Sequence, residues 1–226
     1  MATTAATELP IYRLDVDTYH RLAEAGALDG MGVELLEGLL FDKDSSREDP
    51  IHRIDVGSYQ RMVATGALDG KRIELLNGLL VEMSPKSADH VVVVNALMRH
   101  FEAAPLWMQV QDPIEASWDS EPEPDLALAS RKPPRGRLLR TALLVIEVAV
   151  SSHQADRNEK ATLYANADIP IYWLVDVPAR SVEVRTQPDS DCYAKCAIYH
   201  VGELVPSPLE EVADLDVADL FADVDS

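Results

Sequence analysis

Leu143-Leu144-Val145-Ile146-Glu147-Val148-Ala149-Val150 is an apolar run broken by a single carboxylate. Its length and its branched aliphatic residues predict a buried strand. Dehydrating a glutamate is costly, so Glu147 calls for a metal ion, a cation or a bound proton beside it. Residues 152–166 follow with the pattern of a helix, and Ile171-Tyr172-Trp173-Leu174-Val175-Asp176-Val177 reads as a further strand. A strand–helix–strand unit over 143–177, with more strands around it, gives an α/β class: a sheet with helices on its faces.

Two other residues narrow what accompanies Glu147. Pro124-Asp125-Leu126-Ala127-Leu128 sets Asp125 at the mouth of an apolar strand over 125–129. Lys160 lies on the predicted helix, four residues after Asp156 and four before Tyr164, so the three share one face. A hard cation such as Mg²⁺ takes oxygen ligands at roughly 2.0–2.1 Å and keeps several waters, which two carboxylates on adjacent strands suit. Such an ion polarises a phosphoryl oxygen and activates a water for attack. A lysine near Glu147 can hold the attacking water or the developing negative charge. This is the minimal kit of a metal-dependent phosphodiesterase. Plainer roles stand beside it: Asp125 capping a turn, Glu147 paired with an arginine, Lys160 in a surface pair with Asp156.

Two further residues are weaker candidates. Glu74, between Ile73 and Leu75, has surroundings that suit a third metal ligand or a local structural role. His90 is a lone polar residue at the start of an apolar helix through Val94, Leu97 and Phe101, where capping and core roles compete with a place near the site.

The N-terminal part is an internal repeat. Segments 11–40 and 51–80 match at an offset of 40 residues, with more than half of the positions identical. Gly26-Ala27-Leu28-Asp29-Gly30 recurs as Gly66-Ala67-Leu68-Asp69-Gly70. Glu34-Leu35-Leu36 and Gly38-Leu39-Leu40 recur as Glu74-Leu75-Leu76 and Gly78-Leu79-Leu80. Each copy predicts a helix capped by Asp15 or Asp17 (Asp55 or Ser58), a glycine stop, and a hairpin turning at Glu37-Gly38 or Asn77-Gly78. After the hairpin the copies diverge. The second continues into the helix containing His90, and the first into a polar linker. The expected organisation is a disordered tail over 1–10, a helix–hairpin appendage over 11–45, a linker over 46–50, a main domain over 51–215 and an acidic tail over 216–226. The appendage packs on the main domain or on a partner chain, and exchange between subunits would make a homodimer.

The chain of 226 residues carries a net charge of −19. A general nucleic-acid binder displays a basic patch. Here one basic cluster stands out, Arg131-Lys132-Pro133-Pro134-Arg135-Gly136-Arg137 with Arg140, so any contact with nucleic acid is local and metal-assisted. The N-terminus lacks the basic residues and apolar core of a signal peptide, and no apolar run suggests a membrane span. Cys192 and Cys196 sit about 13 Å apart on one predicted strand, too far for a disulfide. A cytoplasmic address fits.

Taken in order, these pieces resemble the Uma-two-like restriction endonuclease family of the PD-(D/E)XK nuclease superfamily. The resemblance rests on Glu74-Leu75-Leu76-Asn77-Gly78-Leu79-Leu80-Val81-Glu82-Met83-Ser84-Pro85 followed by His90, then Glu123-Pro124-Asp125-Leu126-Ala127-Leu128 and Leu144-Val145-Ile146-Glu147-Val148. Asp156, Lys160 and Tyr164, and Ile169-Pro170-Ile171-Tyr172-Trp173-Leu174-Val175-Asp176, complete it. It implies a restriction-endonuclease-like mixed central sheet flanked by helices. It also implies a divalent-metal endonuclease acting on DNA with Mg²⁺ or Mn²⁺, in which Asp125 and Glu147 are metal carboxylates and Glu74 is an extra acid. The superfamily lysine stands two residues after the second acid, a position held here by Ala149. The resemblance moves that role to Lys160 and places His90 beside the site. A nuclease-like fold kept as a protein-interaction module is the alternative.

Overall fold

The computed structural model describes residues 9–44, 49–150 and 154–224, with 154–157 described by their backbone alone. Most of the expected N-terminal tail, part of the linker, Ser151 to His153 and the side chain of Asp156 therefore lie outside the described residues. Two units emerge. One is Met1–Ser84 with Ser117–Pro122; the other is Pro85–Ala116 with Glu123–Ser226.

The first unit contains both copies of the repeat. Its elements are α1 (Val16–Glu24), β1 (Val33–Leu36), β2 (Leu39–Asp42), α2 (Val56–Ala64), β3 (Ile73–Leu76) and β4 (Leu79–Glu82). Asp15 and Asp55 are the helix caps, accepting from the Thr18 and Ser58 N–H groups at 2.7 and 2.9 Å. Both hairpins are antiparallel. Leu22, Met62, Leu75, Leu40 and Leu80 belong to one apolar cluster that spans both copies.

The second hairpin turns on Asn77 and Gly78, whose φ angles of 49° and 75° are the left-handed pair that a two-residue turn requires. A Cβ on Gly78 would also stand 3.0 Å from Arg53 Cα. Gly78→Ala is expected to lower stability by about 1–3 kcal/mol. Gly70→Ala, with φ 76° but open space around it, should cost less. The two urea midpoints measure the difference, and equal midpoints would rule out the steric part.

One boundary differs from the sequence reading, which keeps residues 51–215 in one domain. Ser117–Pro122 belongs to the first unit. The Glu121 N–H donates to Leu75 O at 2.8 Å, the Gly78 N–H to Asp119 O at 2.7 Å and the Val56 N–H to Trp118 O at 2.8 Å. The second copy thus falls in the same unit as the first, not in one domain over 51–215. Backbone pairing between residues this far apart in sequence leaves no local signature.

The second unit is built on a six-stranded sheet. Its elements are α3 (Ala88–Phe101), β5 (Trp107–Gln109), β6 (Leu126–Ala129), β7 (Leu144–Ala149), α4 (Gln154–Asn166), β8 (Ile171–Asp176), β9 (Ser181–Asp189), β10 (Cys192–His200), β11 (Leu204–Val205), β12 (Leu215–Asp216) and α5 (Val217–Leu220). The order is β10-β9-β8-β7-β6-β5. Only β7 and β8, joined through α4, run parallel, so the sheet is mixed. Leu144, Ile146 and Val148 of β7 join Trp173 and Val175 of β8, and Val93, Leu97 and Phe101 of α3, in one core. Strand alternation sends Val145 and Glu147 to the opposite face. Helix α4 serves that face, where Tyr164 packs on Tyr172 with ring centroids 5.5 Å apart.

Residues 216–224, expected as an acidic tail, are folded. Val217, Leu220, Phe221 and Val224 are buried in the main core. Their spacing is helical, and the acids between them face outward.

Candidate active site

Strand register positions the two acids. Leu126 pairs with Ile146 across β6 and β7, so the antiparallel ladder continued by one residue sets Asp125 opposite Glu147. The Val148 N–H donates to Asp125 Oδ2 at 2.8 Å and fixes the carboxylate there. Asp125 and Glu147 are only 8% and 9% exposed, so each needs polar partners, and each has them.

Glu147 is held by α4. Lys160 Nζ donates to Glu147 Oε1 at 3.2 Å, and the Tyr164 hydroxyl donates to the same oxygen at 2.7 Å. Their i, i+4 spacing presents both donors on one face of the helix. Lys160 is itself only 8% exposed, so this is a buried ion pair and not the surface pair that its sequence neighbours allowed.

Asp125 is held by α3 and by the segment after β5. His90 Nε2 lies 2.9 Å from Asp125 Oδ1. Ser87 caps α3 by accepting from the His90 N–H at 3.2 Å, which fixes the histidine in the first turn. Gln111 Nε2 donates to Asp125 Oδ1 at 3.2 Å, and Lys86 Nζ donates in turn to Gln111 Oε1. Burial pushes the Asp125 carboxyl up. The His90 hydrogen bond and charge, the Val148 N–H and the Lys160 charge outweigh it, and the group sits below its ordinary 3.8. Among the described residues, His90 Nδ1 is buried without a hydrogen-bond partner.

The second unit therefore brings together His90, Asp125, Glu147 and Lys160. Glu74 lies in the first unit, buried on β3 opposite Val81. Among the described residues no group of three or more His, Cys, Asp and Glu is gathered to hold a metal ion. Gln111 carries no sequence signal that marks it. Tyr164 did, through its spacing from Lys160. The basic cluster is exposed, but it follows β6 and leads into β7. It therefore sits at the far end of that strand pair from Asp125, roughly 13 Å of strand away.

A family pattern, Uma2, described as "Putative restriction endonuclease", matches residues 56–218. The chain belongs to the Uma2 family. A solved structure titled "a putative nuclease belonging to DUF820", from Anabaena variabilis ATCC 29413, is similar to it at 18% identity and a TM-score of 0.53, covering 66% of this chain and 89% of that one. That likeness supports the nuclease-like fold of this Uma2 chain, a central mixed sheet flanked by helices. No curated protein matches the chain. Among the described residues no helix is long and apolar enough to cross a membrane.

Proposed function

We propose that this Uma2 chain is a divalent-metal-dependent endonuclease that hydrolyses phosphodiester bonds in DNA. The observation that carries the reading is the facing pair Asp125 and Glu147, two buried carboxylates in cross-strand register with a buried lysine on one of them. The donor chemistry fits Mg²⁺ or Mn²⁺, which are satisfied by one or two carboxylates plus water. The bound cation would supply Lewis-acid polarisation and an activated nucleophile.

The chain's own residues do the rest. Lys160 keeps a positive charge against Glu147 and, in a site dry enough to bury it, is placed to stabilise negative charge developing on phosphate oxygens. Tyr164 fixes the Glu147 carboxylate, so that Lys160 is not its sole support. His90 and Gln111 orient Asp125, and Lys86, exposed beyond Gln111, offers a cation to a backbone phosphate. The net charge of −19 makes attraction of DNA to the molecule as a whole weak. Binding then depends on these few cations and the metal, so its fall with salt is expected to be shallow.

The test is a cleavage assay on plasmid and single-stranded DNA. Nicking in Mg²⁺ or Mn²⁺ that EDTA abolishes is the expected result. No cleavage of any substrate, together with no calorimetric binding of Mn²⁺, would overturn the reading and leave a nuclease fold used as an interaction module. The hydrogen bonds that Lys160 and Tyr164 already give Glu147 favour that second reading.

A further inference from the structure

The two copies of the repeat are joined by reciprocal pairing. Ile11, which opens the first copy, bridges to Val81, which extends the hairpin of the second. Ile51, which opens the second copy, bridges to Phe41, which extends the hairpin of the first. Adding 40 to Ile11 and Phe41 gives Ile51 and Val81, so the two bridges are one contact used twice. The hydrogen bonds repeat in the same way. The Tyr12 N–H donates to Leu80 O and the His52 N–H to Leu40 O, both at 2.8 Å. The Glu82 N–H donates to Pro10 O at 2.7 Å and the Asp42 N–H to Pro50 O at 3.0 Å. The crevice at the junction is lined in matched pairs, Ile11 with Ile51, Leu14 with Ile54, Leu40 with Leu80. Residue i touching j while j touches i is the signature of a two-fold interface between identical subunits. Here it is written within one chain.

The rest of the first copy is exposed as a subunit fragment would be. Val56 and Leu76 are 6% and 1% exposed, whereas their counterparts Val16 and Leu36 are 59% and 46% exposed. The family pattern begins at residue 56, inside the second copy, so it takes in most of that copy and none of the first. A chain with one copy has an unpaired β4 edge and half of an apolar cluster, and an identical chain is the surface that complements both.

We infer that the first copy is a built-in second subunit. It occupies, by reciprocal strand pairing, the face through which a one-copy chain pairs with an identical chain, and so keeps this chain monomeric at that face. The homodimer formed by arm exchange is thereby replaced by pairing within the chain. If the nuclease reading holds, each particle carries one active site and nicks one strand per encounter.

The test uses the full chain with Cys192 and Cys196, both exposed, replaced by serine. Ile11 with Val81, and Phe41 with Ile51, are non-hydrogen-bonded antiparallel pairs, whose Cα separation suits a disulfide. The I11C/V81C and F41C/I51C variants are expected to close within one chain and to keep the mass of a monomer by sedimentation. Disulfides joining two chains would overturn the inference. Tyr12→Pro with Leu14→Asp unseats the first copy at the junction. In that background the mass should double, and I51C/V81C should now link two chains. A chain that stays monomeric and unlinked at every concentration, folded or not, would also overturn it. Neither readout involves cleavage, so failure of the nuclease reading leaves the result intact.

Discussion

Asp125→Asn is expected to cut metal-dependent nicking by about 10²–10³-fold or more, because it removes one of the two carboxylates that the proposed function assigns to the metal. The substitution is nearly isosteric, and an amide oxygen can still accept from the Val148 N–H, so the fold should persist. Circular dichroism checks that. His90→Gln is the informative companion. His90 touches Asp125 and not Glu147, so its loss should act through positioning, by about 10–100-fold, with a larger share in the metal concentration needed for half-maximal rate. An Asp125→Asn enzyme that nicks at the wild-type rate would remove Asp125 from the chemistry. The acid dependence has a definite sign. The folded Asp125 carboxyl lies below its ordinary 3.8, so its contribution to stability is fully present above that value. It is lost as pH falls through the lower folded value. No loss from Asp125 is expected between pH 5 and 8.

Much of this candidate site is legible in the sequence because burial of charge is conspicuous. A lone acid in an aliphatic strand, an acid after a proline at a strand mouth, and a lysine on the intervening helix each break a local pattern. The helix period even brought Tyr164 under Lys160. What the sequence did not reveal is long-range. Gln111 reaches Asp125 from a left-handed residue after a short strand, and nothing in its neighbours marks it. His90 was a candidate whose partner only the packing of α3 against the sheet supplies. The joining of Ser117–Pro122 to β3 rests on backbone groups, which all residues share. By contrast the apolar spacing over 217–221 reads as a short last helix, but the acidic composition around it hid that the helix belongs to the main core and not to a tail. The repeat was plain as a match of letters. Its reciprocal pairing was not, since a repeat folded on itself and a repeat exchanged between chains have the same sequence.

Lys160→Met separates the chemical role of the lysine from its structural one. In the folded chain Lys160 and Glu147 are a buried pair at 3.2 Å, and removing one partner strands the other charge. Breaking such a pair typically costs about 3–5 kcal/mol. The Tyr164 hydroxyl still donates to Glu147 Oε1, so the lower part of that range is expected, read as a fall in the urea midpoint at pH 7. Glu147→Gln combined with Lys160→Met leaves no charge to strand, and Tyr164 can donate to the amide oxygen. Replacing a buried pair by neutral groups of similar volume is often neutral or stabilising, so the double variant should recover most of the lost stability. It should not recover nicking. Recovery of stability without activity assigns the pair to the reaction, because the fold is then shown to do as well without it. A double variant as unstable as Lys160→Met alone would mean that the hydrogen bonds of the Lys160 ammonium, and not the charge left on Glu147, are what the fold requires.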